Sequence, residues 1–115
     1  MDRETALRVS AAFGGGMGRM GEVCGAVTGA FMVLGLKYGR TSLKDAKSHE
    51  NTNRMVRDFV DKFRSVNGSI VCRELLGCDL STPDGVKTFV EKNLRDNLCA
   101  KYVRDAAEIV EQLLV

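Results

Sequence analysis

The sequence predicts an all-α fold, a compact bundle of five or six helices in a single domain covering residues 1–115. Three observations carry that expectation. Apolar residues recur at helical spacing along most of the chain, and no segment alternates as a half-buried strand would. Thr82-Pro83-Asp84 reads as a helix start, with a capping hydroxyl, a proline at the first helical position and an acid in the first turn. Asn67-Gly68-Ser69 reads as a turn between two helical segments.

Each element follows from its local pattern. A first helix is expected over residues 4–13, with Ala6, Leu7, Val9, Ala12 and Phe13 available to a core. The glycines beginning at Gly14 end it. A second helix is expected from about Gly21 to Tyr38, with Gly39 as its C-terminal cap. Residues 40–53 are polar and read as a connector with a short helical turn after Ser42. In the third helix, residues 51–65, Met55, Phe59 and Phe63 recur every fourth position and form one apolar stripe. Residues 70–76 form a short apolar piece carrying Cys72. The helix opened by Thr82 carries Val86, Phe89, Val90 and Leu94. A last helix, broken from it near Asp96-Asn97, presents Cys99, Val103, Ala106, Val110 and Leu113 on one face.

The bulk numbers exclude several classes. A formal charge of +2 leaves no electrostatic footprint for nucleic acid, and the aromatic residues are not interleaved with arginines. The uncharged stretch of residues 23–36 is too short for a membrane span, which needs about 20 apolar residues. The N-terminus, Met-Asp-Arg-Glu-Thr, is acidic and polar where a secretory signal is basic and then apolar. A cytoplasmic setting follows, with no nucleic-acid or membrane partner. In that reducing compartment four cysteines point to catalysis, metal binding or simple burial rather than to a disulfide framework.

Nine of the 12 glycines fall within residues 14–39, and Cys24 sits among them. Glycine costs a helix roughly 1 kcal/mol relative to alanine, so such density signals close backbone approach or unusual dihedrals. Gly16-Met17-Gly18-Arg19-Met20-Gly21 matches G-x-G-x-x-G, but a dinucleotide site needs a preceding strand and a later acidic residue, and neither is present. Gly14, Gly15, Gly16 and Gly18 therefore read as a flexible entry loop. Gly21, Gly25 and Gly29, spaced by four, read as a smooth helical packing ridge. The ridge offers a surface for a homo-oligomer. Cys24 falls in the first turns of that helix, where partial positive charge favours a thiolate and Glu22 opposes it.

The other cysteines carry no standard motif. Cys72 and Cys78 are not spaced as C-x-x-C, so neither a thioredoxin-type pair nor a zinc knuckle is encoded. Cys99 lies on the apolar face of the last helix, and a small buried hydrophobe is the ordinary role of a free cysteine. His49 is the only histidine and lies in a polar segment, which leaves no H-E-x-x-H zinc site.

Cys24-Gly25-Ala26-Val27-Thr28-Gly29 resembles the C-G-A-x-x-G signature of the C_GCAxxG_C_C family, whose redox-active label rests on its cysteines. Phe13-Gly14-Gly15-Gly16-Met17-Gly18 before it, Leu34-Gly35-Leu36-Lys37-Tyr38-Gly39 after it, Cys72-Arg73-Glu74-Leu75-Leu76-Gly77 and Cys99 extend the resemblance over nearly the whole chain. It implies that Cys24, Cys72 and Cys99 are the family's second, third and fourth cysteines. The first has no counterpart here, as if an N-terminal helix of the family were missing, and Cys78 is additional. Three functions remain open. One is thiol–disulfide chemistry with Cys24 attacking and Cys72 or Cys99 resolving, in exchange with an unidentified redox partner. Another is a metal or iron–sulfur site built from Cys24, Cys72, Cys78 and Cys99. The third is a non-catalytic helical oligomerisation module with inert thiols.

Overall fold

A computed structural model describes residues 1–115. The chain is 74% helical, with six helices and no strands. They are α1 (Arg3–Ser10), α2 (Gly25–Tyr38), α3 (Ala46–Asn67), α4 (Cys72–Leu76), α5 (Pro83–Glu91) and α6 (Ala100–Leu113). A 3-10 turn (Ala11–Phe13) follows α1, and a π-helical turn (Arg95–Cys99) leads into α6.

The core lies where α2, α3 and α6 pack on one another. Val27, Ala30 and Leu34 enter it from α2, Phe59 and Phe63 from α3, and Tyr102, Ala106, Ile109 and Val110 from α6. The stripe read from the sequence of α3 is this core face. Phe59 stacks on Phe63 with ring centroids 5.8 Å apart and meets the edge of Phe31 at 5.8 Å. Tyr38 Oη donates to the Leu113 carbonyl at 2.7 Å and ties the ends of α2 and α6 together. Leu75 and Leu76 of α4, with Leu94, close one end of the core. None of these helices is long and apolar enough to cross a membrane.

The local signals at helix ends hold. Thr82 Oγ1 accepts from the Gly85 amide at 3.0 Å and opens α5 with Pro83 at its start. Gly68 ends α3 in the left-handed region, φ 85°. The Gly39 amide donates to the Gly35 carbonyl at 2.8 Å at the end of α2.

Several expectations are corrected. The first helix stops at Ser10 and buries no residue, so its apolar side chains do not join the core. Leu7 is 59% exposed and Val9 51%. The second helix starts at Gly25, four residues later than expected. The polar connector is shorter than expected, because α3 begins at Ala46, where the Asp45 carboxylate accepts from the Ser48 amide at 3.0 Å. A polar first turn and its local cap are enough to extend that helix beyond its apolar stripe. Val90 and Val103 face solvent rather than the core. On α6 it is Tyr102 and Ile109 that turn inward instead.

Candidate functional site

The glycine-rich segment is a left-handed turn. Gly15, Gly16, Met17, Gly18 and Arg19 all have positive φ, between 59° and 68°, and Gly21 has φ 72°. A left-handed turn costs roughly 1–2 kcal/mol for each residue that carries a Cβ, and glycine escapes that cost. Its hydrogen bonds are long-range within the turn. Gly18 donates to the Ala12 carbonyl at 2.8 Å, and Glu22 donates to the Gly16 carbonyl at 2.9 Å. A Cβ placed on Gly16 would stand 2.6 Å from the Cys72 Cβ and 2.7 Å from the Glu22 amide nitrogen. Glycine is thus required there by close approach as well as by conformation.

The turn delivers the chain to an isolated antiparallel bridge between Val23 and Val71. The Cys24 amide donates to the Ile70 carbonyl at 2.8 Å, and the Cys72 amide donates to the Glu22 carbonyl at 2.6 Å. The Arg73 side chain reinforces the same junction, donating to the Gly21 carbonyl at 3.2 Å and pairing with Glu22 at 3.2 Å. Cys24 and Cys72 each stand one residue beyond the bridged valines. The bridge therefore brings the two cysteine-bearing segments together.

Both cysteines also open helices. Cys24 is the N-cap of α2, and its carbonyl accepts from the Val27 and Thr28 amides at 2.9 and 3.1 Å. Cys72 is the first residue of α4. Cys24 thus stands at a helix N-terminus, where its side chain makes no capping hydrogen bond. Beside it, Glu22 is held in an ion pair with Arg73 at 3.2 Å.

Cys99 arrives from the other side, as the last residue of the π-helical turn before α6. The three cysteines line a single pocket of about 340 Å³. Gly14, Gly15, Gly16 and Gly25 form one wall, and Phe13, Leu76, Leu80 and Phe89 supply apolar surface. Tyr102 completes it, with its hydroxyl donating to the Leu75 carbonyl at 2.8 Å. Tyr102 follows Cys99 by three positions on a helical path, which is the sequence signal for its place in the site.

All four cysteines are free thiols. Burial pushes the Cys72 thiol up to about 11, helped by the Cys24, Cys99 and Cys78 sulfurs and the Asp79 carboxylate. Burial also raises Cys99, together with Cys24 and Cys78, against a lowering influence from Arg95. Tyr102 is raised for the same first reason, and then by Cys99 and Cys24. Cys72 and Cys99 are therefore held as neutral thiols near pH 7.

The remaining candidates separate from this cluster. Cys78 lies past the end of α4 and is not part of the pocket wall, although its sulfur influences Cys72 and Cys99. No three His, Cys, Asp or Glu side chains converge to hold a metal ion. The four thiols suit a metal chemically but do not form a coordination shell here. The packing ridge is also corrected. Gly21 lies outside the helix, Gly25 packs against the Phe13 carbonyl, and a Cβ on Gly29 would meet nothing within 4 Å. His49 is on α3, exposed, with Asn53 Nδ2 3.5 Å from its Nε2.

No curated protein and no solved structure matches the chain. Residues 1–113 match the family described as "Putative redox-active protein (C_GCAxxG_C_C)", to which this chain, with its cysteines gathered behind the glycine turn, belongs.

Proposed function

We propose that the protein is a thiol–disulfide redox protein in which Cys24 attacks and Cys72 or Cys99 resolves. One observation carries this reading, namely that three cysteines distant in sequence line one pocket. Buried structural cysteines have no reason to share a cavity, whereas a dithiol site requires it. Cys24 holds the helix N-terminus, and the other two are kept protonated by burial until a mixed disulfide forms. In exchange, the Cys24 thiolate attacks a partner disulfide and expels one partner thiolate. A second cysteine then loses its proton and attacks the Cys24 sulfur, which releases the second partner thiolate. The two expelled thiolates take up protons. Two protein thiols become one disulfide, and one partner disulfide becomes two thiols. Four free thiols suit a cytoplasmic setting, where such a site is regenerated by reduction.

The test is anaerobic purification with metal analysis, followed by mass-spectrometric mapping of disulfides after mild oxidation. The expected result is a metal-free protein with a bond joining two of Cys24, Cys72 and Cys99. Stoichiometric metal bound through these thiols, or oxidation that joins none of them, overturns the reading.

A further inference from the structure

The pocket that gathers the thiols has no charged residue in its wall. Its only other polar side chains are Ser10 and Tyr102, and both hydroxyl protons are already committed to backbone. Ser10 Oγ donates to the Ala6 carbonyl at 2.8 Å, and Tyr102 Oη donates to the Leu75 carbonyl at 2.8 Å. The charges that surround the cysteines stand outside the wall. Arg73 is paired with Glu22 at 3.2 Å. Asp79 accepts from the Ser81 amide at 2.9 Å and from its hydroxyl at 2.6 Å. Arg95 acts on Cys99 without lining the pocket. The amides of Gly25 and Ala26 precede the first helical hydrogen bonds of α2 and adjoin Cys24, and they are the only polar groups the helix start adds to the wall.

A carboxylate or ammonium entering this space would lose water and meet no side chain of opposite charge, which is costly. An aliphatic group would gain from the apolar wall. The volume, about 340 Å³, is at the small end of ligand pockets. Resting on the thiol reading above, we propose that the substrate is a small uncharged disulfide with aliphatic substituents. Its reduction follows the balanced exchange already given: R–S–S–R and two protein thiols yield two R–SH and one protein disulfide.

The full chain, reduced and kept under nitrogen, is mixed separately with dipropyl disulfide, oxidised glutathione and cystamine. The rate of protein disulfide formation is read by mass spectrometry. Each rate is divided by that of the same probe with 2-mercaptoethanol, which removes intrinsic reactivity. The uncharged probe is expected to lead both charged probes by roughly tenfold or more, because neither charge meets a side chain of opposite charge in the pocket. Equal ratios, or a charged probe in the lead, overturn this inference and leave the thiol reading standing. No protein disulfide with any probe overturns both. Val103 lines the pocket and is 59% exposed, so Val103→Lys is compatible with folding. This variant is expected to shift the ratio toward oxidised glutathione by roughly threefold or more at low salt. An unchanged ratio would mean that the probes react elsewhere, and would overturn the assignment of the pocket.

Discussion

Met17 and Arg19 are the two side-chain-bearing residues in a run of positive φ that glycine otherwise occupies. The structure pays for them in backbone strain, because a Cβ in the left-handed region crowds the following carbonyl. Met17→Gly is therefore expected to raise stability by about 0.5–1 kcal/mol despite the flexibility it adds to the unfolded chain, as read by urea unfolding. Gly16→Ala should do the reverse. Its methyl group would meet Cys72 Cβ and both the amide and carbonyl of Glu22 within 2.8 Å, with backbone that cannot step aside. A loss of about 2–4 kcal/mol is expected in the same assay, with faster alkylation of Cys72 as the site loosens. The thiols add a pH signature. The folded state holds Cys72 at about 11 against an ordinary value of 9.0. A group whose proton is held more tightly when folded supports the fold below the ordinary value and withdraws that support as pH climbs through the raised one. Stability should thus fall by up to roughly 2 kcal/mol between pH 9 and 11. Cys72→Ala, measured beside the parent chain, should flatten that decline.

The elements differ in how plainly the sequence announces them. α5 was legible because Thr82, Pro83 and Asp84 act on their own neighbours, and a cap needs no tertiary partner. The stripe of α3 was legible because Phe59 and Phe63 repeat at the helical period. The contact between Val23 and Val71 was not, since a single bridged pair has no period to detect. That omission hid how the segments carrying Cys24 and Cys72 meet. The spacing of Gly21, Gly25 and Gly29 misled for a related reason: a four-residue interval forms a ridge only if the helix already includes Gly21, and a φ of 72° there excludes it. In α1 the sequence showed apolar residues but could not show that nothing covers them. Within α3, Phe59 is fully buried between Phe31 and Phe63, so Phe59→Ala should cost about 3–5 kcal/mol in thermal or denaturant unfolding. Truncation at the exposed Val66 of the same helix should cost far less.

For the molecule as a whole, α1 is an appendage. Its cap, from the Thr5 amide to Asp2 at 2.7 Å, and its Arg8–Glu4 pair at 3.1 Å are local, and no residue of it is buried. Deleting residues 1–9 should change unfolding free energy by less than about 1 kcal/mol, and the α1 amides should exchange with solvent far faster than those of α2 and α6. The cysteines lie instead in or against the packed core. The Val23–Val71 bridge, with its hydrogen bonds at 2.8 and 2.6 Å, makes Cys24 and Cys72 passengers on one body. Cys99 stands at the root of the 14-residue α6, whose far end Tyr38 ties to α2. In the proposed chemistry, a bond between the first two would join segments that the bridge already holds together. A bond to Cys99 would tug a lever that reaches from the pocket to the carbonyl of Leu113, where Tyr38 is fastened. In that proposed chemistry the choice of resolving cysteine would decide whether oxidation is confined to the pocket or reaches α6, which runs to the far end of the fold.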